Sequence, residues 1–241
     1  MRRVVSRVRP YRFGTGTGTT REPTTSAGTV PAEHALRPSG LVDLRGTPPG
    51  PARTVVYPRD AVVVVSGLPG SGKSTLLERW SGTAGAEVIE PRVTHVLCES
   101  RMPSWLPYAV YRPWARLRYF NWLRGAVASG VPTLLHDCGS RAWMRGWLRA
   151  AALRAGRTGG VHLVLLDVGP AAALAGQRAR GRRASRRPFA RHVRGLGRLL
   201  DALAAHGHRA VPEAASVVLL DRSSRDHLAG IAFTDDPPAA Q

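Results

Sequence analysis

From residue 57 onward, hydrophobic residues fall into short continuous runs that alternate with amphipathic stretches, a pattern typical of a parallel α/β sheet. The clearest run, residues 61–66, contains four consecutive valines, as expected for a strand that is buried on both faces. Similar or weaker runs predict four more strands, at residues 87–90, 132–137, 161–167 and 216–221. The predicted fold class is therefore α/β, with a five-stranded parallel sheet flanked by helices.

Helical patterns connect these strands. A glycine-rich turn after residue 66 leads into a short helix that reaches about Trp80. Pro113 suits the first turn of a helix that runs to about Ser129, and Ser140 suits the N-cap of another helix that ends near Ala155. Residues 171–205 form a longer helical stretch that is rich in arginine.

The first 56 residues differ from the rest of the chain in composition. Gly, Pro, Ser and Thr fill 26 of these 56 positions, and no helical or strand period persists. Such a segment buries too little apolar surface to offset the entropy of ordering, so residues 1–56 are predicted to be a disordered basic leader. A nucleic-acid-binding arm is the alternative for this leader. The predicted domain spans residues 57–234, and residues 235–241 are predicted to be a disordered tail.

The overall composition excludes several classes of protein. The 241 residues are 43% hydrophobic and 21% charged, which is typical of a globular chain. Cys98 and Cys138 form neither a disulfide framework nor a metal-binding spacing. No run approaches the ~18 apolar residues of a membrane span. We therefore predict a cytoplasmic protein without a membrane partner.

The most specific motif lies directly after the valine-rich strand. Gly67 through Ser74 match the pattern GxxxxGK[ST] and open a predicted helix. In this motif the glycines let backbone N–H groups turn toward phosphate oxygens, Lys73 reaches the β- and γ-phosphates, and the Ser74 hydroxyl ligates Mg²⁺. The sequence thus predicts a P-loop NTPase fold. The predicted nucleotide-binding residues are Gly67, Leu68, Pro69, Gly70, Ser71, Gly72, Lys73, Ser74 and Thr75.

The charge distribution adds a second candidate site. The net charge is +19, but 34 of the 35 basic residues are Arg, an excess that a coding bias would also produce. Residues 57–241 carry 26 basic and 13 acidic groups, and the stretch from Arg178 to Arg209 alone holds ten Arg and one acid. Because the excess is concentrated there, we predict that at least one of Arg178, Arg180, Arg182 and Arg183 contacts the transferring phosphate as a catalytic residue. A solvated helix face is the alternative.

The lysine content narrows the class of nucleotide-binding protein. A GTPase needs an Asn-Lys-x-Asp motif to read guanine, and Lys73 is the one lysine in the sequence. Motor ATPases usually carry adjacent Asp and Glu residues at the second acidic strand, whereas Asp137 is followed by Cys138. The first observation argues against a GTPase, and the second argues against a hydrolytic motor.

Taken in order, the predicted elements resemble those of small P-loop kinases. The stretch from about Leu41 to Phe233 is similar to a kinase-like family, often labelled AAA-family ATPases, that groups with phage polynucleotide 5′-kinase and the zeta toxins. The resemblance implies ATP-dependent phosphoryl transfer, a five-stranded core, for which we predict the order 2-3-1-4-5, and a mobile lid at about residues 171–205. The residues that carry it are the P-loop, Pro107-Tyr108, Tyr111-Arg112-Pro113, His136-Asp137-Cys138-Gly139, Gly176 through Arg182, and His192.

Acidic residues at strand ends complete the predicted site. Asp137, Asp167 and Asp221 each end a predicted strand, and an open α/β sheet binds its ligand beyond the carboxyl ends of its strands. Asp137 follows the strand expected beside the P-loop strand, so we predict that it binds Mg²⁺ together with Ser74. A strand-end carboxylate that faces water is the alternative. Kinases of the similar family place an Asp after strand two, and the matching residue here is Glu90.

The predicted function is that of an ATP- and Mg²⁺-dependent kinase acting on a hydroxyl group. Glu90, with Glu99 as the nearest alternative, would orient that hydroxyl for in-line attack. The acceptor stays open among a polynucleotide end, a nucleoside, a sugar and a small metabolite. A nucleotide-binding regulatory ATPase with little transfer activity and a nucleic-acid-binding ATPase also stay open. The sequence gives no indication of the oligomeric state.

Two further patterns receive a structural interpretation. Arg141, Arg145 and Arg149 recur every four residues, which predicts the solvated side of an amphipathic helix and favours it over a track for a nucleic acid backbone. Four aromatic residues lie in the loop that leads into the helix predicted at Pro113, namely Trp105, Tyr108, Tyr111 and Trp114. Packing into the core is favoured for them over stacking on a base.

Overall fold

The computed structural model describes residues 31–48, 50–103, 105–136, 141–181 and 186–235. Short 3-10 helices occupy Ala32–His34 and Gly207–Ala210. The strands in these ranges are β1 (Ala35–Leu36), β2 (Gly40–Asp43), β3 (Arg53–Pro58), β4 (Val62–Gly67), β5 (Glu87–Ile89), β6 (Thr133–His136), β7 (Val161–Leu166), β8 (Ser216–Leu220) and β9 (Leu228–Thr234). The helices are α1 (Lys73–Ala84), α2 (Pro91–Glu99), α3 (Tyr108–Ala128), α4 (Ala142–Arg154), α5 (Pro170–Ala179), α6 (Arg186–His206) and α7 (Arg222–His227).

Six strands form the central sheet in the order β2-β8-β7-β4-β6-β5, and all neighbouring pairs are parallel. The five strands expected from the sequence, β4 to β8, follow the predicted order 2-3-1-4-5 across this sheet. The sheet differs from the prediction by one additional edge strand, β2. A second parallel sheet has the order β1-β3-β9. The predicted α/β class with a parallel sheet is confirmed.

Helices and the smaller sheet cover both faces of the central sheet. Successive side chains of a strand point to opposite faces, so the four valines of β4 divide between two cores. Val62 and Val64 belong to a core that includes side chains of α3, α4 and α6. Val63 and Val65 belong to a second core, formed with α1, β3 and β9. None of the helices in the described ranges has the length and apolarity needed to cross a membrane.

Part of the predicted leader is ordered. β2 pairs with β8 at the edge of the central sheet, and β3 pairs with β9 in the smaller sheet. Val55, Val56 and Tyr57 are buried in β3. The prediction of disorder up to residue 56 is therefore wrong for β1, β2 and β3, because partners far along the chain supply the buried surface that these short segments lack. Residues 1–30 and 236–241 lie outside the described residues.

The helix α3 begins five residues before the predicted start. It begins at Tyr108 and contains Pro113 in its second turn. Tyr111 and Ala115 pack against Cys98 of α2, a helix that the sequence pattern does not predict. The contact between α2 and α3 therefore stabilises the first turn of α3, which precedes the helix start predicted from Pro113.

Two interpretations of surface patterns are wrong for some of their residues, although Arg141 and Arg149 are exposed as predicted. Arg145 is 3% exposed, and its Nε donates to Glu213 Oε1 at 2.6 Å, so it links α4 to the segment before β8 instead of facing solvent. Trp105, Tyr108 and Trp114 are 77%, 43% and 36% exposed, respectively, so core packing is wrong for these three. It is confirmed for Tyr111, which is 7% exposed. In each case the neighbouring elements, which sequence spacing does not reveal, decide the burial.

His162 is buried in β7 as a neutral imidazole. Its Nε2 lies 2.7 Å from the carbonyl oxygen of Gly159, and its Nδ1 lies 2.8 Å from Ser216 Oγ. Because a carbonyl oxygen can only accept, Nε2 carries the proton and Nδ1 accepts from the serine hydroxyl. Burial lowers the pKa of His162 to about 4, against the smaller raising effects of the Gly159 carbonyl and Asp60.

We expect the folding stability to decrease as the pH falls from about 6.5 to about 4. In this window the unfolded chain binds a proton at His162, whose ordinary pKa is about 6.5, whereas the folded protein does not. Between pH 6.5 and pH 5 this group should lower the free energy of unfolding by about 2 kcal/mol. Urea unfolding of the wild type and of His162→Gln at pH 7.5 and pH 5 isolates the effect, since all other groups are shared. The same wild-type-minus-variant difference at both pH values would contradict it.

Candidate functional site

The P-loop connects the carboxyl end of β4 to the start of α1. Gly70 has a φ of 92°, and a Cβ there would collide with the carbonyl oxygen of Ala173 in α5, so this position requires glycine. Lys73 is the first residue of α1 and is 4% exposed. Its Nζ donates to the carbonyl oxygens of Gly67 and Leu68, each at 2.9 Å. The ammonium group is therefore held within the loop.

The start of α1 fits an anion. Its N-cap residue is Gly72, no side chain caps the helix, and no acidic residue lies in the first turn. The first N–H groups of a helix lack intrahelical acceptors and carry the positive end of the helix dipole. Ser71 Oγ is buried and has no hydrogen-bond partner among the described residues. These polar groups fit the phosphates of a nucleotide.

Glu90 lies at the carboxyl end of β5 and is the N-cap residue of α2. Pro91 follows it and favours an extended backbone at Glu90, which has φ −113° and ψ 122°. The Glu90 side chain does not cap α2. Instead its Oε1 lies 3.5 Å from Ser74 Oγ and 3.5 Å from His136 Nδ1. The structure therefore brings the predicted acceptor-side carboxylate next to the P-loop serine.

His136 ends β6 beside Glu90. Burial and, to a smaller extent, the positive charge of Lys73 lower the pKa of His136 to about 4. The imidazole is therefore neutral near pH 7. A neutral imidazole carries no positive charge, so His136 contacts the Glu90 carboxylate without neutralising it.

A small cavity opens between α1 and β5. Its volume is about 80 Å³, which is room for about three water molecules or one small polar group. Both Ser74 and Glu90 line this cavity. Its lining residues are Ser74, Leu77, Glu78, Ser81, Val88 and Glu90.

One of the predicted lid arginines contacts the P-loop helix. Arg180 is the C-cap residue of α5, and its Nη2 donates to Thr75 Oγ1 at 2.7 Å. Arg178 is exposed on α5. Arg182 and Arg183 lie outside the described residues. The structure thus brings Arg180 to the first turn of α1.

The strand-end aspartates have separate surroundings. Asp137 lies outside the described residues. Asp167 accepts a hydrogen bond from Arg45 Nη1 at 2.9 Å, and Asp221 accepts one from the backbone N–H of Gly46 at 2.8 Å. Backbone hydrogen bonds, with that from Gly46 the largest cause, hold the pKa of Asp221 below its usual value. Asp167 and Asp221 therefore anchor the loop after β2 to the carboxyl edge of the sheet.

Two residues at the P-loop have contacts that the sequence does not predict. Gln177 Nε2 donates to the carbonyl oxygen of Pro69 at 2.6 Å. Arg225 Nη1 donates to the carbonyl oxygen of Ser71 at 3.2 Å. Gln177 stands in a segment that carries the family resemblance, but no motif spacing relates either residue to the loop. Their contacts arise from tertiary packing.

The described residues fit a magnesium ion that is held mainly by a nucleotide. In the described parts of the chain, no group of three or more His, Cys, Asp or Glu residues could hold a metal ion. Mg²⁺ that accompanies nucleotide phosphates usually takes one or two protein oxygens and completes its shell with phosphate and water. Ser74 Oγ, at the start of α1, is a protein oxygen that could serve as such a magnesium ligand.

Comparison with known proteins adds independent findings. The family model of the AAA domain matches residues 62–206. A search of the curated proteins found no match. Matching solved structures include a gluconokinase from Sinorhizobium meliloti 1021, with 18% identity over 71% of this chain and 93% of that chain and a TM-score of 0.43. Another is from the PezAT toxin-antitoxin system of Streptococcus pneumoniae, with 12% identity over 70% of this chain and 69% of that chain and a TM-score of 0.49.

The matched segment covers more than half of the chain and includes the structural core of the site. It runs from β4 through the P-loop to the end of α6. Glu90, His136 and Arg180 all lie within it. The chain therefore belongs to the AAA domain family, here a family of P-loop kinase-like proteins.

Proposed function

We propose that this protein is a Mg²⁺-dependent kinase that transfers the γ-phosphate of ATP to a hydroxyl group. The observation that carries the proposal is the position of Glu90, whose Oε1 lies 3.5 Å from Ser74 Oγ beside a small cavity. A carboxylate at this place can orient a hydroxyl and accept its proton during in-line attack on a phosphate held by the P-loop. Simple binding of a nucleotide would not need such a group.

On the nucleotide side, the P-loop and the first turn of α1 would bind the β- and γ-phosphates. Lys73 Nζ donates to two loop carbonyls, and phosphate oxygens would replace these acceptors. Ser74 and Asp137 would hold Mg²⁺, which when bound neutralises charge on the phosphate oxygens. Arg180 would add positive charge from the lid, since its guanidinium already reaches Thr75 at the start of α1.

On the acceptor side, Glu90 would accept the proton of the attacking hydroxyl. The neutral imidazole of His136 contacts the same carboxylate oxygen and fixes its position without neutralising it. The cavity beside Glu90 accommodates only a small group, so most of the acceptor would lie outside it. The acceptor class stays open among polynucleotide ends, nucleosides, sugars and small metabolites.

Transfer of the labelled γ-phosphate of ATP tests this function. The protein is incubated with 5′-hydroxyl oligonucleotides, nucleosides and sugars in parallel, with and without EDTA. A labelled, Mg²⁺-dependent product would establish a kinase and identify its acceptor class. Release of ADP without any labelled product would favour a regulatory ATPase. ADP release that increases with nucleic acid, again without a product, would favour a nucleic-acid-binding ATPase.

With an acceptor in hand, Glu90→Gln should reduce kcat for transfer by about 10²–10⁴-fold, because the amide cannot accept the proton. The KM for ATP should change little, since Glu90 is not among the phosphate-binding groups. Steady-state kinetics measures both values. Glu99→Gln is the matched control, because Glu99 is an exposed carboxylate on α2. If Glu99→Gln alone lost activity, the acceptor role would belong to Glu99.

A further inference from the structure

The helix α5 packs directly against the P-loop. Gln177 is 7% exposed, and its Nε2 donates to the carbonyl oxygen of Pro69 at 2.6 Å. One turn earlier, the backbone of Ala173 lies against Gly70. This side chain and this stretch of backbone thus contact Pro69 and Gly70, which are joined by one peptide unit within the P-loop.

Gly176 makes the approach of α5 possible. A Cβ at this position would collide with the carbonyl oxygen of Gly70, and a Cβ at Gly70 would collide with the backbone of α5. Glycine is a poor helix former, so its presence inside α5 has no benefit for the helix itself. The backbones of Gly70 and Gly176 are therefore in direct contact. The P-loop cannot move far toward α5 unless the helix α5 also moves.

The same helix also contacts the other side of the P-loop. Its C-cap residue, Arg180, donates to Thr75 Oγ1. Contacts from α5 therefore reach both the residues that enter the phosphate-binding turn and those that follow it. The helix α5 is the first part of the predicted lid at about residues 171–205, so the predicted lid begins in contact with the P-loop.

We propose that Gln177 is a positioning residue that fixes the P-loop in its phosphate-binding conformation. The C=O and N–H of one peptide unit point in opposite directions. Binding of the Pro69 carbonyl by Gln177 therefore turns the N–H of Gly70 away from α5 and prevents this peptide unit from flipping. The proposal rests on the nucleotide-binding part of the proposed function and not on phosphoryl transfer.

Calorimetric titration with ADP tests this role. Gln177→Leu keeps the size of the side chain but removes the donor, and its affinity for ADP should fall at least tenfold. Ala175→Gln is the matched control, because Ala175 is exposed on the same helix, and it should bind ADP like the wild type. Titrations are made well below the unfolding temperature of each variant. A purely structural role would lower that temperature and leave the affinity of the folded protein unchanged.

Gly176→Ala provides a second variant in case Gln177→Leu does not fold. Alanine favours the helix but places a Cβ against the Gly70 carbonyl, so the affinity for ADP should again fall at least tenfold. ADP affinity within twofold of the wild type in the folded variants would overturn the positioning role. A wild-type protein that binds no ADP would instead refute the proposed function itself, so the two failures are distinguishable.

Discussion

Replacing Lys73 by methionine should reduce phosphoryl transfer by about 10³-fold or more, because it removes the cation that would stabilise charge on the β- and γ-phosphates. Methionine retains most of the apolar stem, and Lys73 is 4% exposed, so the packing of the loop should be preserved. The ammonium also donates to the carbonyls of Gly67 and Leu68, and a moderate decrease in the unfolding temperature is expected. Transfer of the labelled γ-phosphate measures the main effect.

The matched control for Lys73 is Arg79→Met. Arg79 is an exposed cation on the same helix, and its guanidinium donates to the backbone carbonyls of Arg225 and Asp226. This substitution should leave the transfer rate within about threefold of the wild type, as usual for a surface cation away from the chemistry. If Lys73→Met transferred phosphate at the wild-type rate, the P-loop would not be the phosphate-binding element.

Replacing Arg157 by methionine should lower the free energy of unfolding by about 3–5 kcal/mol, because it removes a buried charged group with several hydrogen bonds. Arg157 is 4% exposed, and burial lowers the pKa of its guanidinium. It joins the end of α3, the segment between β3 and β4 and the segment before β6. Its acceptors are the carbonyl oxygens of Val127 (2.6 Å), Asp60 (2.8 Å), Ala126 (2.8 Å) and Val131 (2.9 Å).

Chemical denaturation of Arg157→Met and Arg154→Met separates this network from a general effect of charge. Arg154 is the exposed last residue of α4, three positions away. Its replacement should change the free energy of unfolding by no more than about 0.5 kcal/mol. Equal stability losses in the two variants would show that the carbonyl network contributes nothing specific. The Arg157 variant should still bind ADP at temperatures where it is folded, since its contacts lie away from the P-loop.

The sequence predicts the central sheet well because its signals are local. Valines 62–65 form an unbroken apolar run, which fits a strand covered on both faces, and β4 is covered on both faces. The glycine-rich turn and the helix after it follow from the residues of the turn itself. The position of Glu90 at the end of β5 also follows from the local pattern, because the strand predicted at residues 87–90 ends there.

Long-range contacts explain the failures. Residues 40–43 have no recognisable strand pattern, yet they form β2 because β8 offers a free parallel edge to pair with. Arg145 has the spacing of a solvated stripe, yet Glu213 from a distant segment covers it. Asp167 ends a predicted strand at the edge expected to face the ligand, yet its carboxylate accepts a hydrogen bond from Arg45. In each case a residue far along the chain decides the environment, and no local pattern contains that information.

The same distinction divides the candidate site. By itself the sequence determined the P-loop with its lysine and serine, because the backbone turn, the helix start and the proposed phosphate-binding groups all lie within nine adjacent residues. Only the tertiary structure decided what surrounds that loop: Glu90 beside Ser74, Arg180 on Thr75, and Gln177 on Pro69. These partners come from α5 and from the end of β5. Glu90 reaches the P-loop because of the order of the strands in the central sheet, and α5 reaches it because the backbones of Gly70 and Gly176 pack closely.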